Sequence, residues 1–359
     1  MRASLSFITV VALAMCLCAC GPVRIQTANQ NAASPAAAFF NAARTGDMVC
    51  IMRLVEEKTV DVHIRDSAGW NGLMYAAQNG HEGPVEYFLM KKVSIHHRDQ
   101  DGLTALMIAV NFRHPGMVGY LLKSGADPAG QDVHGYTPLM WAIYNKSLDS
   151  VPLLLATDQG LDLQNKQGET ALHMALYYGQ TDIATKLIQG GASLNVRDKK
   201  KQTPLHLAAA LGDPDILRLL INGGAHIAPQ EAGGETPLMK AIHGGHATAA
   251  SFLAARMSSV GQRDLYGQTA LHLAVSKDMP DMVCQLMKQK TDPDTQDKQG
   301  YTALMIAARW GLQKIVTCLT DHGASMHLRN ASGENALDIA SRYRQRSVVE
   351  YLEKKEKHK

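Results

Sequence analysis

An all-α solenoid of repeated helix pairs is the fold class this sequence predicts, on three observations. The first is a 33-residue period: Thr104, Thr137, Thr170, Thr203, Thr236, Thr269 and Thr302 share one register position, with Asn71 and Asn335 at its ends. The second is what travels with that residue. Leu stands two places on, from Leu73 to Leu337, and Ala five places on, from Ala76 to Ala340, in all nine units. The third is punctuation: Gly stands two places before the cap from Gly69 to Gly333, with Lys201 the single exception. Units in unbroken register bury their faces only against their neighbours, which is a stack and not a single globule.

The first 34 residues lie outside the period. Arg2 is a short positive region and residues 5–15 are an apolar run too short to span a membrane comfortably. The run ends in Leu17-Cys18-Ala19-Cys20-Gly21, which resembles a bacterial lipoprotein signal. That resemblance implies a signal peptide over 1–19, cleavage before Cys20 and lipid (palmitate among it) on its thiol. Gly21 in place of Asp then points to the outer membrane. The alternatives are an inner-membrane lipoprotein, or a plain secretory signal cut after Ala19 that leaves a soluble periplasmic chain. Residues 22–34 are polar, small and aperiodic, so 20–34 reads as a lipidated terminus and flexible tether, reaching at most about 45 Å.

From 35 the pattern becomes helical. Residues 35–66 read as an N-terminal capping unit, the first half of a repeat lacking its hairpin, with Phe39 and Phe40 plugging the open end of the stack. Residues 67–334 carry the repeats, and 202–225 shows their parts most clearly. Thr203 caps a first helix that Pro204 opens, with Leu205, Leu207, Ala208 and Ala209 as a small apolar face. Asp213-Pro214 starts a second helix bearing Ile216, Leu217, Leu219, Leu220 and Ile221, and Gly223-Gly224 ends it. Pro115, Pro214 and Pro280 share the first turn of the second helix, where a missing N–H is harmless. Residues 335–359 read as a C-terminal capping repeat, closed by the charged stretch 353–359.

The period and the motif Thr203-Pro204-Leu205-His206-Leu207-Ala208 resemble the ankyrin repeat, over roughly 36–351. The resemblance implies an ankyrin-repeat solenoid of helix-turn-helix units with β-hairpin fingers, about ten units including caps. The invariant Ala is what two closely touching helices need, and the Gly supplies the positive-φ turn of a finger. At Lys201 the finger is therefore expected to take another turn shape.

Most candidate chemistry dissolves into the repeat. His173, His206 and His272 fill the motif position that bonds neighbouring backbone. His243 with His246, and His96 with His97, lack the further ligands of a closed metal site. Asp292, Asp294 and Asp297 have the wrong spacing for a calcium loop. The recurring acid or amide five places before the cap, Asp66 to Asn330, suits hairpin backbone better than catalysis. Phosphate-loop, nucleophile-elbow and zinc-protease motifs are missing, so no enzyme and no cofactor is expected. A net charge of +3 gives no reason to expect nucleic acid. Cys284 and Cys318 fall on adjacent second helices, whose axes lie about 8–10 Å apart, so free thiols are expected.

The resemblance implies a concave binding face built from finger tips and first-helix ends, one, three and four places before the cap and seven and eight after it. Those positions hold Trp70, Phe112, Tyr136, Tyr144, Tyr177, Tyr178, Tyr266, Tyr301, Trp310 and Tyr343. That is 10 of the 19 aromatics beyond residue 19, on a face where nothing in the fold demands rings. Lys166, Lys199, Lys200, Lys298 and Arg309 share it. The expectation is a non-enzymatic protein-binding module, held in the envelope by its lipid and gripping an acidic, partly apolar envelope protein. The alternatives are a peptidoglycan or glycan binder, or a periplasmic immunity protein that blocks a toxin.

Overall fold

The computed structural model describes residues 34–357, so Cys20, the signal and most of the tether lie outside the described residues. Twenty helices pair in order. They run α1 (Pro35–Thr45) with α2 (Met48–Glu56), α3 (Gly72–Gln78) with α4 (Glu82–Met90), and α5 (Ala105–Asn111) with α6 (Pro115–Lys123). The middle pairs are α7 (Pro138–Tyr144) with α8 (Val151–Leu155), α9 (Ala171–Tyr177) with α10 (Thr181–Gln189), and α11 (Pro204–Leu211) with α12 (Pro214–Asn222). Then come α13 (Pro237–His243) with α14 (Ala247–Ala254), α15 (Ala270–Ser276) with α16 (Pro280–Lys288), α17 (Ala303–Trp310) with α18 (Gln313–Asp321), and α19 (Ala336–Arg342) with α20 (Arg346–Lys357). None is long and apolar enough to cross a membrane.

The caps explain where each first helix begins. Thr104, Thr137, Thr236, Thr302, Asn71 and Asn335 accept a hydrogen bond from the backbone N–H three residues on, satisfying a donor the helix leaves orphaned. His173, His206 and His272 complete the cap in their units. In each, Nδ1 faces the N–H of the cap Thr, while Nε2 lies 3.1–3.2 Å from the carbonyl oxygen of Gln202, Glu235 or Tyr301 in the next unit. Such a ring must be neutral, with its proton on Nε2.

The periodic Ala from Ala76 to Ala340 is fully buried in every unit, because it lies where first helices of adjacent units touch. At the N-terminal end Phe39 is fully buried, edge-on to Phe40 and Phe88. Gly72 leaves room for it: a Cβ there would stand 2.7 Å from Phe88 Cζ and 3.0 Å from Phe39 Cζ. Between helix pairs the fingers form a ladder with one backbone bond per junction, from Gln100 N–H to Ala68 O through to Ala331 N–H to Gln299 O.

Two expectations are corrected. Cys284 on α16 and Cys318 on α18 form a disulfide, with Cα atoms 6.0 Å apart. Axis separation was the wrong measure, since each Cα stands about 2.3 Å off its own axis and these two face each other. The finger at Lys201 keeps the common turn, with Lys201 itself at φ 60° and its N–H bonded to Asp198 O at 2.9 Å.

Candidate partner-binding face

The fingers owe their shape to the acid or amide at their base. Asp66 Oδ1 accepts from Ala68 and Trp70 N–H, Asp132 from His134 and Tyr136, Asn165 from Gln167 and Glu169, and Asp297 from Gln299 and Tyr301. With each side-chain oxygen bound to its own turn, these residues fix the shape of the tips and leave them free to present side chains.

On that frame the predicted rings fall into separate groups, and no continuous aromatic groove forms. The largest group spans the third and fourth repeats. Tyr136 at the finger base lies 5.7 Å from Trp141 and 6.4 Å from Tyr144. Trp141 meets Tyr144 at 5.9 Å, Tyr144 meets Tyr178 across the repeat junction at 6.0 Å, and Tyr178 meets Tyr177 at 5.3 Å. Most of these contacts are edge-to-face, each adding about 0.5–1.5 kcal/mol beyond area burial. Tyr136 and Tyr144 are half-buried against the core, whereas Tyr177 and Tyr178 are 48% and 41% exposed. Burial, with Glu169 nearby, pushes the Tyr136 phenol up to about 12, and burial raises that of Tyr178. Both are neutral hydroxyls in any ordinary buffer.

A second group closes the C-terminal end. The Arg309 guanidinium lies 5.6 Å from the Trp310 ring and 5.0 Å from Tyr343, and Arg342 lies 5.7 Å from Tyr343. Trp310 is 62% exposed. At the N-terminal end Trp70 packs on Tyr75, and its Nε1–H donates to Asp99 Oδ2 at 2.9 Å. Tyr301 packs against the core, while exposed Phe112 and Tyr266 pair with no other ring among the described residues. Lys199 and Lys200 project from an exposed finger in the fifth repeat.

Trp141 and Tyr75 were missed by the five-position rule, since both stand four places after the cap. The signal was there: that position is otherwise Ile108, Met174, Leu207, Lys240, Leu273, Ile306 and Ile339, so a ring is out of pattern. Trp141 Nε1–H donates to Asp132 Oδ2 at 3.0 Å, which orients the indole toward the tyrosines. In the sixth repeat Lys240 and His243 both engage Glu235, and Lys240 also lies 3.8 Å from Glu231. Burial alone would raise the Glu235 carboxyl, but those two bonds hold it below the usual range.

The histidines considered as metal ligands have other partners. His246 Nε2 meets Ala210 O at 2.9 Å and His97 Nε2 meets Gly69 O at 2.7 Å. Asp294 Oδ1 accepts from Ser325 N–H at 2.8 Å, a link between units.

The model of ankyrin repeats in three copies matches residues 73–163, 157–231, 227–297 and 272–359, most of the chain. The chain belongs to the ankyrin repeat family. Ankyrin arrays are typically protein–protein interaction modules and generally non-enzymatic scaffolds. Among solved structures, the chain is similar to the ankyrin repeat domain of Bcl-3, described as a unique member of the IkappaB protein family. The two are 28% identical, with a TM-score of 0.53, and the match covers 61% of this chain and 99% of that one. No curated protein matches the chain.

Proposed function

We propose that this ankyrin chain is a non-enzymatic binding module held in the bacterial envelope through lipid on Cys20, and that it captures a protein partner on the ring cluster of its third and fourth repeats. The observation that carries the binding reading is that cluster. Five rings join edge to face across a repeat junction, with Tyr177 and Tyr178 exposed over nearly half their surface. Exposed aromatic clusters of this kind supply large contact area at low entropic cost. The Cys284–Cys318 bridge supports export, because disulfides persist in oxidising compartments such as the periplasm. Changing Tyr136, Tyr144, Tyr177 and Tyr178 together to Ala is expected to abolish capture of the partner from solubilised envelope, while circular dichroism stays helical. Unchanged capture would remove this site. Radiolabelled palmitate entering the wild type but not Cys20→Ala tests the anchor, and label in neither would leave a plain secretory signal.

A second reading has one specific observation in its favour. Trp310 is exposed and flanked by Arg309, a pairing that suits a sugar ring bearing a carboxylate. Sedimentation with purified peptidoglycan, lost in Trp310→Ala, would favour a glycan binder over a protein-binding module. An immunity protein that blocks a toxin is a special case of the first reading.

A further inference from the structure

We propose that the finger at 198–202 is an anion-recognition element that seats an extended acidic segment of the protein partner beside the ring cluster. The proposal rests on the protein-binding reading above and adds the partner's chemistry.

The finger turn has little room for a side chain. A Cβ at Gly135, Gly168, Gly234 or Gly300 would stand 2.9 Å from backbone of the following finger, closer than real contacts allow. Lys201 occupies the equivalent place, carries that Cβ, and takes φ 60°, a region unfavourable to any L side chain. The turn survives: Lys201 N–H bonds Asp198 O, and Ala232 N–H still reaches Lys200 O at 2.8 Å. Lys201 thus stands where the other eight units carry Gly, in a backbone conformation that is costly for a side chain. The Lys201 ammonium makes no hydrogen bond or ion pair among the described residues, and neither do those of Lys166, Lys199 and Lys200.

Charge says what the finger is for. Lys199, Lys200 and Lys201 are exposed and share their finger with a single carboxylate, Asp198, which accepts from Gln202 N–H. None of the other eight fingers carries net positive charge. The nearby acids are already engaged: Glu169 accepts from Asn165, and Glu235 from Lys240 and His243. Lys166 is exposed on the preceding finger, in the repeat that carries Tyr177 and Tyr178, and that finger is joined to this one by the bond from Lys199 N–H to Gln167 O at 2.9 Å. A chain segment with several carboxylates and a few apolar side chains matches this arrangement, its acids on the lysines and its apolar groups on the rings.

The probe is a fluorescein-labelled 16-residue peptide of Glu-Glu-Leu-Glu repeats, titrated against the purified chain from residue 21 onward. Wild type is expected to bind it with affinity that falls steeply between low and physiological salt. Lys199→Gln with Lys200→Gln is expected to weaken binding at least ten-fold. Lys201→Gly is expected to weaken it several-fold while raising the thermal midpoint, a pairing that a purely structural lysine would not give. No binding to wild type, equal binding by the double variant, or preference for phosphatidylglycerol vesicles or polygalacturonate over the peptide would each overturn the proposal. Partner capture lost with the tyrosine variant but kept by the lysine variants would sink the lysine finger alone. Capture indifferent to both sets would sink the face itself.

Discussion

At the scale of single residues, the three motif histidines tie stability to pH. Burial lowers the affinity of His173, His206 and His272 for protons, and for His206 burial, opposed by its bond to Glu235 and aided by Lys240 and Arg197, brings it to about 4. Each ring is neutral in the folded state and protonates near 6.5 once unfolded. Unfolded chain therefore binds more protons between those two values, so stability is complete above about pH 6.5 and drains away as pH falls toward 4. His206 alone accounts for on the order of 3 kcal/mol over that range. Thermal melts from pH 7.5 to 4 should show a falling midpoint, and His206→Gln should flatten the slope while lowering the plateau. A midpoint independent of pH would contradict the neutral-ring geometry. These roles were legible in the sequence because each depends on residues a fixed few places apart: a Thr, a His three on, an Asp five before. Trp141 was visible only as a ring out of pattern; its role was not, because that comes from Tyr136, Tyr144 and Asp132 facing it across the turn.

At the scale of elements, the second helix of the third repeat is the irregular one. Where α6 and α10 run nine residues, α8 runs five. The turn at 147–150 takes the place of its first turn, held by a buried contact between the Ser147 and Ser150 hydroxyls at 2.9 Å. Leu148 and Leu153 are left exposed beside it. With fewer internal bonds and less buried area, α8 should be the interior helix whose amides exchange fastest with deuterium, by at least ten-fold over α10. Equal protection of the two would show that neighbouring repeats, not the helix itself, set local stability. Helix α7, which carries Trp141 and Tyr144, packs against α8, so a bound partner should slow α8 exchange as well. Helix positions along the chain followed from caps, Pro and Gly. The shortening of α8 did not, because Pro152 is harmless in a first turn and the sequence marks no earlier stop.

At the scale of the whole molecule, stability is a chain of nearest-neighbour contacts, so a link across one junction acts on everything beyond it. The Cys284–Cys318 bridge crosses the junction between the seventh and eighth repeats. Closing a loop of 34 residues is worth about 3–4 kcal/mol if it acts only on the unfolded chain. Cys284→Ser with Cys318→Ser should lower the denaturation midpoint of the C-terminal repeats first, read by Trp310 fluorescence, and leave the N-terminal end nearly unchanged. Periodicity gave the stack and its length, since every unit repeats the same short-range signals. It could not give the bridge, which depends on how far two facing surfaces approach. Nor did it give the division of the ring-bearing face into patches, which depends on neighbours in space. That covalent rivet also alters how the array answers a pull on its two ends. Roughly 110 Å of contour between the paired sulfurs is locked out of extension. A stretched array should thus yield repeat by repeat until it meets this stop, and in a single-molecule trace the oxidised chain should end shorter than the reduced one by about that length.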